Sequence, residues 1–305
     1  MFVSLPLLAV AIAQPGIVIP LQKAPRQVER AVAPIATAGP AFDAACADFD
    51  EWDKPAPPVR IHANTYLVGT CGISAILVTG SDGHVLIDSG TERGAELVAA
   101  NIRSLGFKLT DVKYLLHSHE HIDHVGGIAR LQQLTGAQLV ASPAAAAVFR
   151  TGTPDDDDPQ AGMHPPFPAA RVERVIRDGA TVRLGNLLLT ALETPGHTPG
   201  ALSWHWGACD GGICRRIVYA DSLSPISREG YRFSDRPAYV ASFRAGLAKV
   251  AALDCDIVLT PHPSASGMID RMAGKAPLTN PNGCRDYAAG IAKRLDERLA
   301  TEKPK

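Results

Sequence analysis

The sequence predicts an α/β (α+β) chain in which two sheets pack together with helices on the outside. Three observations carry this. Short β-branched and apolar runs dominate the early part of the chain. Segments with helical spacing interrupt them in each half, and no low-complexity segment or short-period repeat offers another architecture. Periodicity alone goes no further than this class.

The elements follow in order. Thr65 to Val68 and Ser74 to Thr79 read as strands, Ser81-Asp82-Gly83 as a turn, and His84 to Ile87 as the next strand. Ala95, Val98, Ile102 and Leu105 share one helical face, and Gly106 follows as a cap. Tyr114 to Leu116 is a buried strand, and Val125 to Leu134 reads as a helix closed by Gly136. In the second half, Thr181 to Leu184 and Leu187 to Leu192 flank Gly185-Asn186 as a hairpin. Ser203 to Trp206, Arg216 to Ala220 and Asp256 to Thr260 are further strands. Val240, Phe243, Leu247 and Val250 mark one amphipathic helix, and Tyr287, Ile291, Leu295 and Leu299 a closing one.

A length of 305 residues suits one large domain or two small ones. A hydrophobic content of 46% with 20% charged residues is that of a water-soluble globular chain. The net charge of -1 and the lack of a basic block give no sign of nucleic acid or anionic membrane as a partner, and neither is expected. The acidic run Asp155 to Asp158 reads as a solvated loop, and Phe149 to Phe167 as an irregular rim over a cleft.

The N-terminal apolar run ends in Ala11-Ile12-Ala13, a small-x-small pattern that places a signal-peptide cut before Gln14, although no Lys or Arg precedes the run. It is too short for a permanent membrane anchor. Residues 1–13 are therefore expected to be a signal peptide, 14–41 a flexible leader rich in Ala, Pro and Val, and 42–305 a single domain of an exported protein. Six cysteines, an even number, suit disulfides in that setting, with fifteen connectivities open. None lies in a C-x-x-C zinc pattern.

Residues 117–127 read HSHEHIDHVGG, and within them His119, His121, Asp123 and His124 form H-x-H-x-D-H. Zinc takes imidazole and carboxylate ligands, with an open position where it does chemistry. A strand end turning into a helix can aim His119 and His121 at one point and Asp123 and His124 at a second. A charged surface loop has no need of three imidazoles in six positions. His197 in TPGHTPG and His262 in LTPHPSAS each follow a strand on a Pro-braced loop, which adds two candidate ligands.

With these motifs the chain resembles the metallo-β-lactamase superfamily from about Trp52 to Tyr287. The resemblance implies a four-layer αββα sandwich and two Zn2+ per chain. One zinc would be held by His119, His121 and His197 and the other by Asp123, His124 and His262, with Asp123 also orienting the nucleophile. Asp88, in VLIDSGT, resembles the buried aspartate that supports the site from behind the ligands, and Ser89 stands where a second Gly is expected. His117 lies outside the pattern and is expected to be structural.

Within the superfamily, residues 219–233 (YADSLSPISREGYRF) are the discriminating segment. They lack the cysteine ligand of two β-lactamase subclasses and resemble the third. That resemblance implies Ser222 and Ser224 as contacts to the substrate carboxylate, Tyr231 as a pocket wall, and disulfides Cys255–Cys284, Cys209–Cys214 and Cys46–Cys71. It implies a hydrolase of penicillins, cephalosporins and carbapenems; with the N-terminal export signal the protein is expected to be periplasmic, and it is expected to act as a monomer. The alternative is another metallohydrolase, a lactonase or thioesterase, in which Asp221 would bridge both metals.

Overall fold

The computed structural model describes residues 39–47 and 51–302. All of these fall within one unit of the chain, Pro34–Lys305. The expected signal peptide and most of the expected leader lie outside the described residues. Helix α1, Gly39–Cys46, takes up the last residues of the segment read as leader.

The first sheet contains β1 (Val59–His62), β2 (Thr65–Leu67), β3 (Ile76–Gly80), β4 (Gly83–Ile87), β5 (Val112–Leu116), β6 (Gln138–Ala141) and β7 (Val172–Val175), side by side in that order. The first four strands are an antiparallel meander. From β4 to β7 the pairing is parallel, so each connection must cross over. The crossovers carry α2 (Glu92–Ser104), α3 (Ile122–Val125), α4 (Ile128–Thr135) and α5 (Pro143–Thr151). The second sheet holds β8 (Thr181–Leu184), β9 (Leu187–Glu193), β10 (Leu202–Asp210), β11 (Ile213–Tyr219) and β12 (Ile257–Leu259). Its last pair, β11 and β12, is parallel and is joined through α6 (Pro237–Ala251). Helices α7 (Met268–Met272) and α8 (Gly283–Thr301) follow.

The two-residue period of the strands sorts side chains into three apolar layers. Val85 and Ile87 lie between the sheets with Trp204, Ile217 and Tyr219. Leu86 faces the other way, onto Val98 and Ile102 of α2 and Leu131 of α4. Val218 meets Phe243 and Leu247 of α6 and Ile291 and Leu295 of α8. Three apolar layers between helices, sheet, sheet and helices make the αββα sandwich.

The helix expected over Val125 to Leu134 is broken into α3 and α4 by Gly126-Gly127. A Cβ on Gly127 would meet the Ala95 Cβ at 2.6 Å and the Thr91 carbonyl oxygen at 2.7 Å, so the chain must pass the start of α2 as bare backbone. Gly136 ends α4 in the left-handed conformation, φ +71°, as its position suggested. The three disulfides found are Cys46–Cys71, Cys209–Cys214 and Cys255–Cys284.

Candidate metal centre and active-site cleft

Strand ends of both sheets deliver the polar residues to one edge of the sandwich. β5 runs into His117–His124, β4 into Asp88, β9 into the loop of His197, β11 into Asp221–Ser224 and β12 into His262. Ligand-type atoms of His119, His121 and His197 lie within 4.8 Å of one another, and so do those of His119, Asp123 and His124. His262 joins the second group, its Nε2 3.2 Å from His124 Nε2 and 3.4 Å from Asp123 Oδ2. All six residues expected to be ligands are thus brought together.

The hydrogen bonds behind these rings decide which nitrogen faces the centre. His119 Nδ1 lies 2.8 Å from Asp221 Oδ1. His121 Nε2 lies 3.0 Å from Asp158 Oδ2. His197 Nδ1 lies 3.0 Å from both the carbonyl oxygen and Oγ of Ser224. The opposite nitrogen of His119, Nε2, is buried without a hydrogen-bond partner. A buried lone nitrogen is costly unless something fills its vacancy, and a metal ion does. Burial, together with the neighbouring imidazoles, drives His119 and His197 well below the usual histidine range, and burial brings His124 down to about 4. Neutral imidazole is the ligating form. Burial alone would lower His121 too, but the hydrogen bond and charge of Asp158 outweigh it and raise this ring. Imidazoles with one carboxylate form a donor set that fits zinc.

The support behind the candidate ligands is equally specific. Asp88 accepts from Ser118 N, Ser118 Oγ and Tyr219 Oη, each at 2.7 Å. Burial raises its carboxyl to about 7, although these donors pull the other way. Its backbone sits at φ +65°, rare for a residue with a side chain and a mark of local strain. Ser89 does more than fit where Gly was expected: Oγ donates to the His124 carbonyl at 2.9 Å and accepts from Gly127 N at 3.1 Å. Buried Glu120 accepts from Thr198 Oγ1 and Gly200 N, both at 2.8 Å, and so holds the loop that carries His197. His117 is structural, its Nε2 accepting from Ser142 N at 3.2 Å and its ring set edge-on to Phe149.

A cleft of about 500 Å³ opens over the cluster, with Ser222, Ser224, Gln160 and His164 in its lining. Trp52 and His164 meet at its rim with ring centroids 5.4 Å apart. Two expectations need correction. Asp158 is not part of a solvated run: Asp155 to Asp157 are exposed, but Asp158 turns inward to His121 and is buried. Tyr231 does not line the cleft. It is buried in the α6–α8 layer beside Phe233, because the turn at Arg228–Tyr231 carries the ring inward, with Arg236 over its face. Asp158 and Glu120 were not singled out by the sequence; Pro159, just after Asp158, is the only local hint of a turn there.

The sequence model of the metallo-beta-lactamase superfamily matches residues 68–262. The solved MIM-2 metallo-β-lactamase is 61% identical, with a TM-score of 0.83 over 86% of this chain and 97% of that one. MEM-A1, a subclass B3 metallo-β-lactamase from a soil metagenome library, is 43% identical, with a TM-score of 0.80 over 83% of this chain and 98% of its own. Among curated proteins, the hydroxyacylglutathione hydrolase of Rhodopseudomonas palustris strain BisB18 is 37% identical over 122 residues, 40% of this chain and 38% of that relative. The counterpart from Anaeromyxobacter dehalogenans strain 2CP-C is 28% identical over 61% of this chain and 58% of its own, so the chain spans less than two thirds of either curated relative. On the family match and the near-complete overlap with these structures, the chain belongs to the metallo-β-lactamase superfamily and, within it, to subclass B3.

Proposed function

We propose that the protein hydrolyses the amide bond of penicillins, cephalosporins and carbapenems with two zinc ions, one at His119, His121 and His197 and one at Asp123, His124 and His262. The observation that carries this reading is the engagement of Asp221. Its Oδ1 is turned to His119 Nδ1 at 2.8 Å, and its Oδ2 accepts from Leu223 N at 3.0 Å. A carboxylate so used holds a ring from behind and is not free to bridge two metals, which separates this site from the thioesterase and lactonase pattern.

Zinc held there would supply a nucleophilic water at neutral pH and polarise the lactam carbonyl. Asp123 would orient that water and take its proton on a carboxylate oxygen. Ser222 and Ser224 would donate from Oγ to the substrate carboxylate, directly or through water. The Ser222 backbone is steadied for this by Tyr287 Oη, which donates to its carbonyl at 2.7 Å. Three disulfides support an exported, periplasmic chain. A site completed by residues of one chain supports action as a monomer. No described helix is long and apolar enough to cross a membrane.

The test is turnover of nitrocefin and imipenem by purified protein, with and without a zinc chelator. Chelator-sensitive turnover is expected. Its absence, or turnover of a glutathione thioester in its place, would overturn the reading.

A further inference from the structure

The lining of the cleft holds two donors that bind no described residue. Ser222 Oγ is buried and lacks a hydrogen-bond partner among the described residues. A buried hydroxyl left this way carries a desolvation cost that a ligand would relieve. Arg294, exposed on α8, is the one Arg or Lys among the described residues that line the same cleft. The other cations of this helix are engaged. Arg285 Nη2 donates to Asn282 Oδ1 at 2.6 Å, Lys293 Nζ lies 3.8 Å from Glu297 Oε1, and Arg298 donates to Glu302 Oε1 at 2.6 Å and to Ser227 Oγ at 2.9 Å. Arg294 makes no hydrogen bond or ion pair with any described residue.

Tyr287 lies against Ser222 and feels the charge of Arg294. Burial raises the Tyr287 phenol above its usual range and the Asp221 charge adds to this, whereas the Arg294 charge acts in the opposite sense. Tyr287 is also the residue that holds the Ser222 carbonyl. An unpaired guanidinium and an unpaired hydroxyl in the lining of one cleft fit a carboxylate, which a guanidinium grips with two parallel N–H donors. Penicillins, cephalosporins and carbapenems carry such a group on the ring fused to the lactam.

We propose that Arg294 sets specificity by anchoring the substrate carboxylate beside Ser222, an inference that rests on the lactamase reading. The test is kcat and KM of the wild type, Arg294→Gln and Arg294→Lys on benzylpenicillin and on its methyl ester, with zinc content measured alongside. Arg294→Gln is expected to raise KM for the acid by about tenfold, the low end for a charge-assisted hydrogen bond because the site is open to water. The loss falls on KM and not on kcat, zinc content holds, the ester loses nothing, and Arg294→Lys recovers part of the difference. An unchanged KM for the acid, or an equal rise for acid and ester, overturns the role of Arg294 and leaves a working lactamase. A wild type inactive on both substrates overturns the lactamase reading itself, and this inference with it.

Discussion

Asp158 Oδ2 lies 3.0 Å from His121 Nε2, with both side chains buried. The carboxylate is itself fixed: its Oδ1 accepts from Gln160 N at 2.6 Å, and the Asp158 carbonyl accepts from Arg228 Nη1 at 2.6 Å. The pair leaves His121 Nδ1 for a metal and makes the ring more basic. Asp158→Ala should therefore weaken zinc binding by about 10–100-fold, the usual effect of losing the carboxylate behind a metal-bound imidazole. Asp158→Asn keeps an acceptor and should lose less. Competition against a chromophoric chelator measures both, and equal affinities for wild type and Asp158→Ala would sink the assignment.

Glu120 acts on the loop of His197 in a comparable way. A Cβ at Gly200 would lie 2.7 Å from Glu120 Oε1 and 2.5 Å from Ala145 N, so this contact needs glycine on the far side. Glu120→Ala strands the Gly200 N–H and should cost about 1–3 kcal/mol of stability, as an unsatisfied buried donor does. Glu120→Gln keeps one acceptor oxygen for Gly200 N, and the Thr198 hydroxyl can turn to accept from the new amide. It should keep most of the stability and zinc content. Urea unfolding of the three proteins, read with zinc analysis, separates the outcomes; equal loss in both variants would mean that the negative charge, not the hydrogen-bond pattern, holds the loop.

The candidate metal ligands were legible because their chemistry is compressed into adjacent positions: four of the six stand within residues 119–124. The strands that deliver them were legible from apolar alternation, as at Val85, Leu86 and Ile87. What supports the ligands was not. Asp158 looks like its three neighbours until the loop folds back, and Tyr231 stands close to Ser224 in sequence while its ring is drawn into the layer of Phe233 and Phe243. The break at Gly126-Gly127 is set by Ala95 and Thr91 of a distant turn, and no local signal reports that contact. Short β6 and helix α5, with its N-cap Ser142, Pro143 and C-terminal Gly152, carried readable end signals but too few residues to show a period.

His117 supplies a pH dependence with a definite sign. Burial lowers its pKa from 6.5 to about 3. Between those values the unfolded chain binds a proton that the native ring does not. The stability is fully present above the unfolded pKa and is lost as pH falls, at up to about 1.4 kcal/mol per pH unit. His117→Gln, whose side-chain oxygen can accept from Ser142 N, should remove about one proton from the acid-side slope of the metal-free protein. Unfolding free energies between about pH 7 and pH 5 check this, and an unchanged slope would mean that His117 is not held neutral. Turnover gives a second contrast: His117→Gln keeps most of it, whereas His121→Ala abolishes it. Equal loss in both would place the ligands one alternation away.

Gly196 links the core to the site. A Cβ there would lie 2.3 Å from the ring of Phe243, on α6, and Tyr239 Oη donates to the Gly196 carbonyl at 3.2 Å. The residue that follows is His197, so any retreat of Gly196 from Phe243 displaces a candidate ligand. Gly196→Ala should cost about 1–3 kcal/mol, the usual range for overpacking, and should also lower zinc content. Phe243→Leu removes the clashing ring edge. In the double variant the two losses should therefore sum to more than the loss observed, a favourable coupling between side chains in contact. Additive losses in a double-mutant cycle would show that the alanine is accommodated by loop movement away from α6. A Gly196→Ala protein as stable and as zinc-loaded as the wild type would show that the loop of His197 does not depend on this contact.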